Sequence, residues 1–259
     1  MANVDNHAPG TFCWAELATT GQDAAKKFYP ALLGWTLTDQ PMGPGSVYTI
    51  FSLDGRNTGA CYTLEPDLMK MGVPPHWLLY VTVTDADQTA AKVAPAGGKL
   101  LKEPFDVMEL GRMAVIQDPT GAVIAIWQPK LYTGVGIEGV PGTLCWADLM
   151  TPNPDIAVKF YESVFGWKVE AGKDASGYLH IKAGDKFIGG IPPAAHRNPN
   201  VPPHWLAYFL VSDCDASTAK AKEAGANICV APMSMEGVGR WSVIADPAGA
   251  VFALFQSAH

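Results

Sequence analysis

The sequence lacks the features that mark membrane and nucleic-acid-binding proteins. No apolar run approaches the roughly 18 residues that a transmembrane helix needs. Residues 1–10 (MANVDNHAPG) contain neither the basic nor the apolar segment of a secretory signal. Lysine and arginine are scattered, and the net charge of the 259 residues is −7. The composition therefore argues against a membrane or nucleic-acid partner.

Paired cysteines and common catalytic motifs are also absent. The five cysteines are odd in number and form no CxxC pair, so a reduced, cytoplasmic protein without a disulfide framework or zinc knuckle fits best. We interpret Cys13 and Cys145 as buried, unreactive thiols. No GxSxG, P-loop, GxGxxG or HExxH pattern occurs, so nucleotide binding and the common hydrolases have no support.

The sequence does contain an internal duplication. PGTFCWAEL matches PGTLCWADL, KKFYPALLGW matches VKFYESVFGW, PPHWLLYV matches PPHWLAYF, and GRMAVIQDPTGAVIAIWQ matches GRWSVIADPAGAVFALFQ. At this length two domains of ordinary size fit, each with its own core. We divide the chain into a first domain at 9–130, a glycine-containing linker at 131–142 and a second domain at 143–257.

Each repeat contains one pattern of secondary structure twice. Alternating residues predict strands at Thr11–Ala18 and His76–Thr84, and each is followed by a helix, at Gln22–Leu33 and Ala86–Ala96. Three short strands follow each helix, and Asp-Pro-x-Gly predicts a type I turn between the last two. The order βαβββ therefore occurs four times, which predicts an α+β fold.

Residue alternation separates the two faces of the central strands. Cys13, Ala15 and Leu17 form a small apolar face that suits packing under a helix. We expect the opposite face to carry Phe12, Trp14 and Glu16, followed on the PPHW strand by His76, Leu78 and Tyr80. Large aromatic groups with a few ionisable ones are typical of a ligand cavity.

The FY…GW helix and the DPxG strand pair resemble the vicinal oxygen chelate superfamily. This superfamily includes glyoxalase I, extradiol dioxygenases and bleomycin-binding proteins. The CWAEL/CWADL, PPHW and GRxxVxxDPxGA segments are similar to those of two-repeat glyoxalase-like proteins of actinobacteria, known as a 27–30 kDa mycobacterial antigen and labelled hydroxylases. The resemblance implies tandem glyoxalase-like domains whose four βαβββ modules form two open barrels, as an internal pseudo-dimer. Such a chain acts as a monomer or pairs again as a homodimer.

The positions that hold a divalent metal in the chelating relatives are apolar here. Those relatives use a His or Gln on the first strand, a His on the first strand of the second cycle, and a Glu after the turn. The corresponding residues are Trp14, Leu78 and Ala125 in the first repeat and Trp146, Leu206 and Ala253 in the second. Indole, isobutyl and methyl groups supply no oxygen or nitrogen ligand. We therefore predict no divalent metal and no other cofactor.

Two ionisable pairs are candidate site residues, each with a structural alternative. Glu16 and Asp148 suit a general base or a hydrogen-bond anchor, and the alternative is a strand-end carboxylate that pairs with a loop amide or an arginine. His76 and His204 suit an acid, base or donor at the cavity rim, and the alternative is a hydrogen bond to a loop carbonyl.

Arginine and aromatic side chains complete the candidate set. Arg112 and Arg240 suit a bidentate contact with an anionic ligand, or else a salt bridge across the module interface. We expect Trp14 and Trp146 to face the cavity and stack on a flat ligand. The remaining aromatic candidates for ligand binding are Tyr80, Trp127 and Tyr208.

The sequence favours a metal-independent protein that binds or sequesters a planar or hydrophobic metabolite or drug, in a resistance or detoxification role. The alternative is an enzyme of the same fold, a glyoxalase-type lyase or isomerase or a ring-modifying oxygenase. It would use an atypical metal site, or Glu16, His76 and their copies as metal-free acids and bases. A third possibility is that one repeat keeps a competent pocket while the other is scaffold.

Overall fold

Each repeat folds into one eight-stranded sheet with helices on one side. The computed structural model describes residues 2–172 and 177–258. The elements of the first repeat are β1 (Ala2–Asn3), β2 (Phe12–Thr19), α1 (Gln22–Leu33), β3 (Thr36–Gly43), β4 (Ser46–Leu53), β5 (Arg56–Thr63), α2 (Pro66–Lys70), β6 (His76–Thr82), α3 (Ala86–Ala91), β7 (Lys99–Val107), β8 (Gly111–Gln117) and β9 (Val123–Pro129).

The second repeat has the same order of elements, with one 3-10 turn at Ala194–His196 in place of α2. Its elements are β10 (Ile137–Glu138), β11 (Leu144–Met150), α4 (Pro154–Phe165), β12 (Lys168–Ala171), β13 (Leu179–Ala183), β14 (Lys186–Ile191), β15 (His204–Leu210), α5 (Cys214–Glu223), β16 (Asn227–Met235), β17 (Gly239–Ala245) and β18 (Val251–Ser257). No helix among the described residues is long and apolar enough to span a bilayer.

The sheet topology repeats as the sequence does. The strand orders are β3-β4-β5-β2-β6-β9-β8-β7 and β12-β13-β14-β11-β15-β18-β17-β16. The first strands of the two modules, β2 and β6, are antiparallel neighbours at the centre, and each has the last strand of its own module parallel beside it. This confirms the α+β fold with four βαβββ modules, in sheets that stay open.

The helix ends follow the local signals. The side chains of Asn153, Asp85 and Asp213 accept hydrogen bonds from backbone N–H groups in the first turns of α4, α3 and α5. Gly34 and Gly166 end α1 and α4 with φ of 76° and 72°, the left-handed conformation that glycine adopts freely. Helix α3 ends at Ala91, before the predicted Ala96, and Pro95 lies in the turns that follow.

The two repeats share one hydrophobic core, whereas the sequence predicted a core for each. The helix-facing sides of both sheets join helix residues of both repeats in a single buried cluster. Trp35 and Trp167, which follow α1 and α4, each donate an indole N–H to a backbone carbonyl of the other repeat's entry segment, Gly142 and Gly10, at 2.7 Å. The pseudo-dimer is therefore held by reciprocal contacts.

A β-bulge at the start of β2 corrects the predicted faces. The pairing of β2 with β6 shifts between Phe12 and Trp14, so that Phe12 packs on the shared core against Trp167 and Trp205. Cys13 instead joins Trp14 in a separate cluster on the other side of the sheet. The prediction that placed Phe12 beside Trp14 was wrong, because strict alternation does not hold through a bulge.

Candidate ligand-binding site

The side of the first sheet away from the helices carries a clamped carboxylate. We call this side of the sheet the first distal face, formed by Trp14, Glu16, Leu78, Tyr80 and Trp127. We call the buried carboxylate, together with the tyrosines that donate hydrogen bonds to it, the carboxylate clamp. Glu16 accepts hydrogen bonds from the hydroxyls of Tyr48 at 2.6 Å and Tyr80 at 2.9 Å. The indole of Trp14 donates to the Tyr48 hydroxyl at 3.1 Å. Strands β2, β4 and β6 thus converge on one buried carboxylate.

The second sheet repeats this arrangement on its second distal face, formed by Trp146, Asp148, His180, Leu206 and Tyr208. Asp148 accepts hydrogen bonds from Tyr178 at 2.5 Å, Tyr208 at 2.7 Å and the Trp146 indole at 3.1 Å. Neither Tyr48 nor Tyr178 was among the predicted site residues. Their signal in the sequence is a tyrosine at corresponding places, inside β4 in the first repeat and directly before β13 in the second.

Burial changes the proton affinity of both carboxylates. Loss of solvent raises the pKa of Glu16, and the hydrogen bonds from Tyr48 and Tyr80 oppose the rise. Burial likewise raises the pKa of Asp148, against the hydrogen bonds from Tyr178, Tyr208 and Trp146 and the nearby His180. Perturbed carboxyl groups of this kind are suited to anchoring a ligand or accepting its proton.

The family's metal-ligand positions lie side by side and carry no ligand set. Trp14 pairs across the sheet with Tyr80, which pairs with Ala125, and Leu78 lies opposite Glu16. Of Trp14, Tyr80 and Ala125, the residue whose side chain has an oxygen that could bind a metal is Tyr80, and its hydroxyl already donates a hydrogen bond to Glu16. In the second repeat Trp146 pairs with Tyr208, which pairs with Ala253, and Leu206 lies opposite Asp148. These side chains do not fit a family-type metal site.

The two predicted histidines begin β6 and β15 and contact the backbone. The Nδ1 atoms of His76 and His204 lie 2.8 Å from the carbonyl oxygens of Pro74 and Pro202. This is the loop-carbonyl bond that the sequence left open as the alternative. Burial lowers the pKa of His204, and the bond to the Pro202 carbonyl opposes that effect.

The two predicted arginines are held by aspartates. Arg112 donates to both carboxylate oxygens of Asp87 at 2.7 and 2.8 Å, and Arg240 to those of Asp215 at 2.5 and 2.8 Å. Asp87 and Asp215 lie in α3 and α5, so each ion pair joins a helix to a strand within one module rather than across a module interface. The guanidinium groups are therefore engaged on the helix side of each sheet.

The predicted linker covers the first distal face. Tyr132 packs edge-on against Trp14 with ring centroids 5.3 Å apart, and its carbonyl accepts the Trp127 indole N–H at 2.9 Å. The N–H of Val135 donates to the Cys13 carbonyl at 2.8 Å, and Val135 joins the buried cluster of this face. Trp14, Tyr80 and Trp127 are consequently 4–7% exposed.

The second distal face is more accessible. Trp146, Tyr208 and Phe255, the counterparts of Trp14, Tyr80 and Trp127, are all partly exposed. Among the described residues, the ring contact of Trp146 is with His180 of the same sheet, at 6.4 Å, and not with a covering segment. The two repeats therefore share a carboxylate clamp and differ in its access to solvent.

Sequence reasoning missed His180. It lies on β13 opposite Gly190, which pairs with Asp148, and its ring also contacts Tyr178 and Phe187 at 5.0 and 5.4 Å. Ile50 occupies the corresponding place in the first sheet, opposite Ala60. Matching the two hairpins of the repeats would have shown this replacement of an apolar residue by an imidazole.

A glycine makes room for the second clamp. A Cβ atom on Gly190 would lie 2.0 Å from the Tyr178 hydroxyl, whereas the first repeat has Ala60 at this place. Asp148 is one methylene shorter than Glu16, so the tyrosine must approach the strand more closely to reach it. The shorter Asp148 is thus paired with the smaller Gly190, and the longer Glu16 with the larger Ala60. Both pairs allow the tyrosine hydroxyl to reach the carboxylate.

Two surface hollows lie away from both distal faces. One, of about 390 Å³, is lined by residues including Gly21, Gln22, Lys26 and Val47. The other, of about 240 Å³, lies between the repeats near Gly10, Thr84 and Phe165. Neither hollow is lined by Glu16 or Asp148. More titratable and aromatic side chains surround these two carboxylates than line either hollow, so the distal faces are the better candidate sites.

The four βαβββ modules in two open sheets define a glyoxalase type of fold. The chain belongs to the Glyoxalase/Bleomycin resistance protein/Dioxygenase superfamily, whose family model matches residues 11–126 and 143–254. It is 40% identical to "Putative glyoxylase CFP32" of Mycobacterium tuberculosis, over 100% of this chain and 99% of that protein. It is 33% identical to "Anthracycline biosynthesis protein DnrV" of Streptomyces peucetius, over 96% of this chain and 94% of that protein.

Solved structures share the fold at low sequence identity. The Mn(II)-bound glyoxalase from Novosphingobium aromaticivorans superposes with a TM-score of 0.68 at 17% identity, over 97% of this chain and 83% of that one. The 2,3-dioxygenase LapB from Pseudomonas sp. KL28 superposes with a TM-score of 0.65 at 18% identity, over 98% of this chain and 94% of that one. These two structures are thus a glyoxalase, which contains a bound Mn(II) ion, and a dioxygenase.

Proposed function

We propose that this chain is a metal-independent member of the superfamily that binds or sequesters a planar or hydrophobic metabolite or drug. The observation that carries the proposal is the carboxylate clamp of the distal faces, in which Glu16 or Asp148 is surrounded by tryptophan and tyrosine. Aromatic rings offer stacking surface, and the carboxylate with its tyrosine hydroxyls forms a polar edge beside them that orients a ligand.

The donor chemistry supports metal independence. The family positions hold Trp14, Leu78 and Ala125, or their copies, and Glu16 stands two residues along the strand from the first of these. Both Glu16 oxygens already accept hydrogen bonds from tyrosines. A carboxylate engaged in this way is poorly disposed to complete a coordination shell that no neighbouring side chain begins.

The names of two relatives support a planar ligand. DnrV and the similar DauV of Streptomyces sp. are named for anthracycline biosynthesis. Anthracyclines contain a flat fused-ring system with phenolic groups, a shape that matches stacking on Trp14 or Trp146. A resistance or detoxification role follows if binding withdraws such a compound from solution.

We place this activity in a reducing compartment and expect it to be cytoplasmic. All five cysteines are free in the structure, and structural disulfides are rare in the cytoplasm. Burial raises the pKa of Cys13 and of Cys145 to about 12, which suits inert thiols. The chain contains its own pseudo-dimer, and we propose that it acts as a monomer or as a homodimer.

Metal analysis and ligand binding test the proposal together. Protein purified without chelators is analysed for Zn, Ni, Mn and Fe, and its thermal unfolding is followed with each ion and with a panel of planar aromatic compounds. We expect substoichiometric metal, no shift with the ions and a rise in Tm with a subset of the aromatics. Near-stoichiometric metal would favour the alternative, an enzyme with an atypical metal site.

A further inference from the structure

We propose that the ligand site is confined to the second distal face, where a planar phenol stacks on Trp146 and donates its hydroxyl hydrogen to His180. This inference rests on the proposed function and narrows it to one repeat and one ligand class. Three independent features of the structure support it: the covered first face, the free imidazole of the second face, and the polar character of the groups around that imidazole.

The first face is closed by the chain itself. Tyr132 lies against Trp14, and Val135 is 6% exposed in the cluster that contains Tyr80 and Trp127. The covering segment is anchored at several points, because Val135 bonds to β2, Gly136 bonds to the Asn57 carbonyl, and β10 pairs with β1. A ligand would have to displace this segment to reach Glu16.

The second face presents an imidazole with hydrogen-bonding capacity to spare. Within the part of the chain that the structure describes, His180 makes ring contacts with Trp146, Tyr178 and Phe187, and its two nitrogens have no hydrogen-bond partner. A neutral imidazole has one donor and one acceptor nitrogen. The ring is half-buried, so its nitrogens are reachable from solvent beside the Trp146 indole.

The surroundings of His180 favour a hydroxylated aromatic over a purely apolar ligand. Asp148 lies in the same row of the sheet and is within electrostatic range of the imidazole. A phenol that donates its hydrogen to His180 keeps its oxygen near the polar edge formed by Tyr178 and Asp148, while its ring covers Trp146. The first repeat offers no equivalent, since Ile50 stands where His180 does.

Two naphthalenes that differ in one hydrogen-bond donor test the proposal. Binding of 2-naphthol and 2-methoxynaphthalene is measured by isothermal titration calorimetry on wild type and on His180→Ile, which copies the first repeat. The control is Ile50→His, which places an imidazole on the covered face. Hydrogen-exchange mass spectrometry of the 144–150 and 178–183 peptides, and of 12–19 and 46–53, locates the bound probe.

We expect about one 2-naphthol per chain, weaker binding of the methyl ether, and protection of the second-repeat peptides. His180→Ile should weaken the binding of 2-naphthol by roughly five- to tenfold, the effect of one lost hydrogen bond, and should leave the affinity for the methyl ether unchanged. Ile50→His should match wild type. Two probes per chain, protection of the first-repeat peptides or equal loss of both probes in His180→Ile would overturn this inference and leave the proposed function standing.

The failure of the proposed function looks different. If neither naphthalene binds, the phenol class is wrong, and the wider panel of planar aromatics then decides the proposed function by itself. Binding from that panel that is unaffected by His180→Ile and weakened by Trp14→Ala would place the site in the first repeat.

Discussion

The hydroxyl of Tyr29 donates a hydrogen bond to Asp246 of the other repeat, with 2.9 Å between the oxygens. The reciprocal pair, Tyr161 with Asp118, is 3.0 Å apart. The tyrosines belong to the FY motifs of α1 and α4, and the aspartates to the two DPxG turns. The motifs that identify the fold are therefore contacts between repeats, and they lie in the shared core rather than on a distal face.

Replacing Tyr29 with phenylalanine should destabilise the whole chain. The Oδ1 atom of Asp246 accepts backbone N–H groups of its own turn, while Oδ2 accepts from Tyr29. Tyr29→Phe leaves this buried oxygen without its donor, and we expect a loss of about 1–3 kcal/mol in the free energy of unfolding. Urea denaturation measures it, and Tyr161→Phe should behave alike. Unchanged stability in both variants would show that the bonds contribute nothing net.

The clamped carboxylates should make stability fall with rising pH. Burial raises the pKa of Asp148 above its ordinary 3.8, so the folded state holds this proton at pH values where the unfolded chain has released it. The free energy of unfolding then declines as pH rises from about 4 through the folded-state pKa. Asp148→Asn removes this titrating group. We therefore expect the free energy of unfolding of the variant to rise relative to that of wild type as pH increases over this interval.

The comparison of Asp148→Asn with wild type isolates the effect of Asp148 from the effects of other carboxylates. Asp39, Asp87 and Asp215 have a lowered pKa because of hydrogen bonds from Lys26, Arg112 and Arg240, and they act in the opposite direction. They are common to wild type and Asp148→Asn, so they cancel in the difference. A difference that stays constant between pH 4 and pH 8 would contradict a raised pKa.

Much of the architecture was predictable because the duplication shows each motif twice. The module order, the helix caps at Asp85 and Asp213 and the helix-ending glycines all follow from local chemistry. The Phe12 assignment failed because one bulge residue reverses every face before it. Residue alternation predicts the face on which a side chain lies only where the strand contains no bulge.

The site was less predictable than the fold. Trp14, Glu16 and Tyr80 are brought together as expected. Tyr48, Tyr178 and His180 lie in or beside hairpins that none of the matched motifs includes, so only a separate alignment of those hairpins pairs them. The covering role of Tyr132 and Val135 depends on where a glycine-rich segment lies in three dimensions. A linker composition indicates a turn or a loop and not the surface on which it packs.

Gly190→Ala should open the second clamp and spare the first. The added methyl would meet the Tyr178 hydroxyl at 2.0 Å, so the ring must move and its bond to Asp148 must break. We expect loss of about 1–3 kcal/mol of stability and changed fluorescence of Trp146, which bonds to the same hydroxyl. The matched control is Ala60→Gly, which removes a methyl at the corresponding place. A crystal structure of Gly190→Ala with Tyr178 unmoved would refute the proposed role of this glycine.

Gly134→Val should lift the linker from the first distal face. Gly134 has φ of 129°, and a Cβ atom there would lie 2.3 Å from the Cys13 carbonyl oxygen, so a side chain is excluded by both conformation and contact. Displacement of the segment would take Tyr132 from Trp14 and expose both Trp14 and Trp127.

Acrylamide quenching of tryptophan fluorescence measures that exposure. We expect stronger quenching in Gly134→Val than in wild type. Gly43→Val is the matched control, since Gly43 has a φ of 128°, close to that of Gly134, but has nothing within 4 Å of its Cβ position. Its backbone strain is comparable and its contact with β2 is nil, so its quenching should equal that of wild type. Equal quenching in all three proteins would mean that the segment does not hold the first face closed, because Trp14 and Trp127 would then be shielded without it.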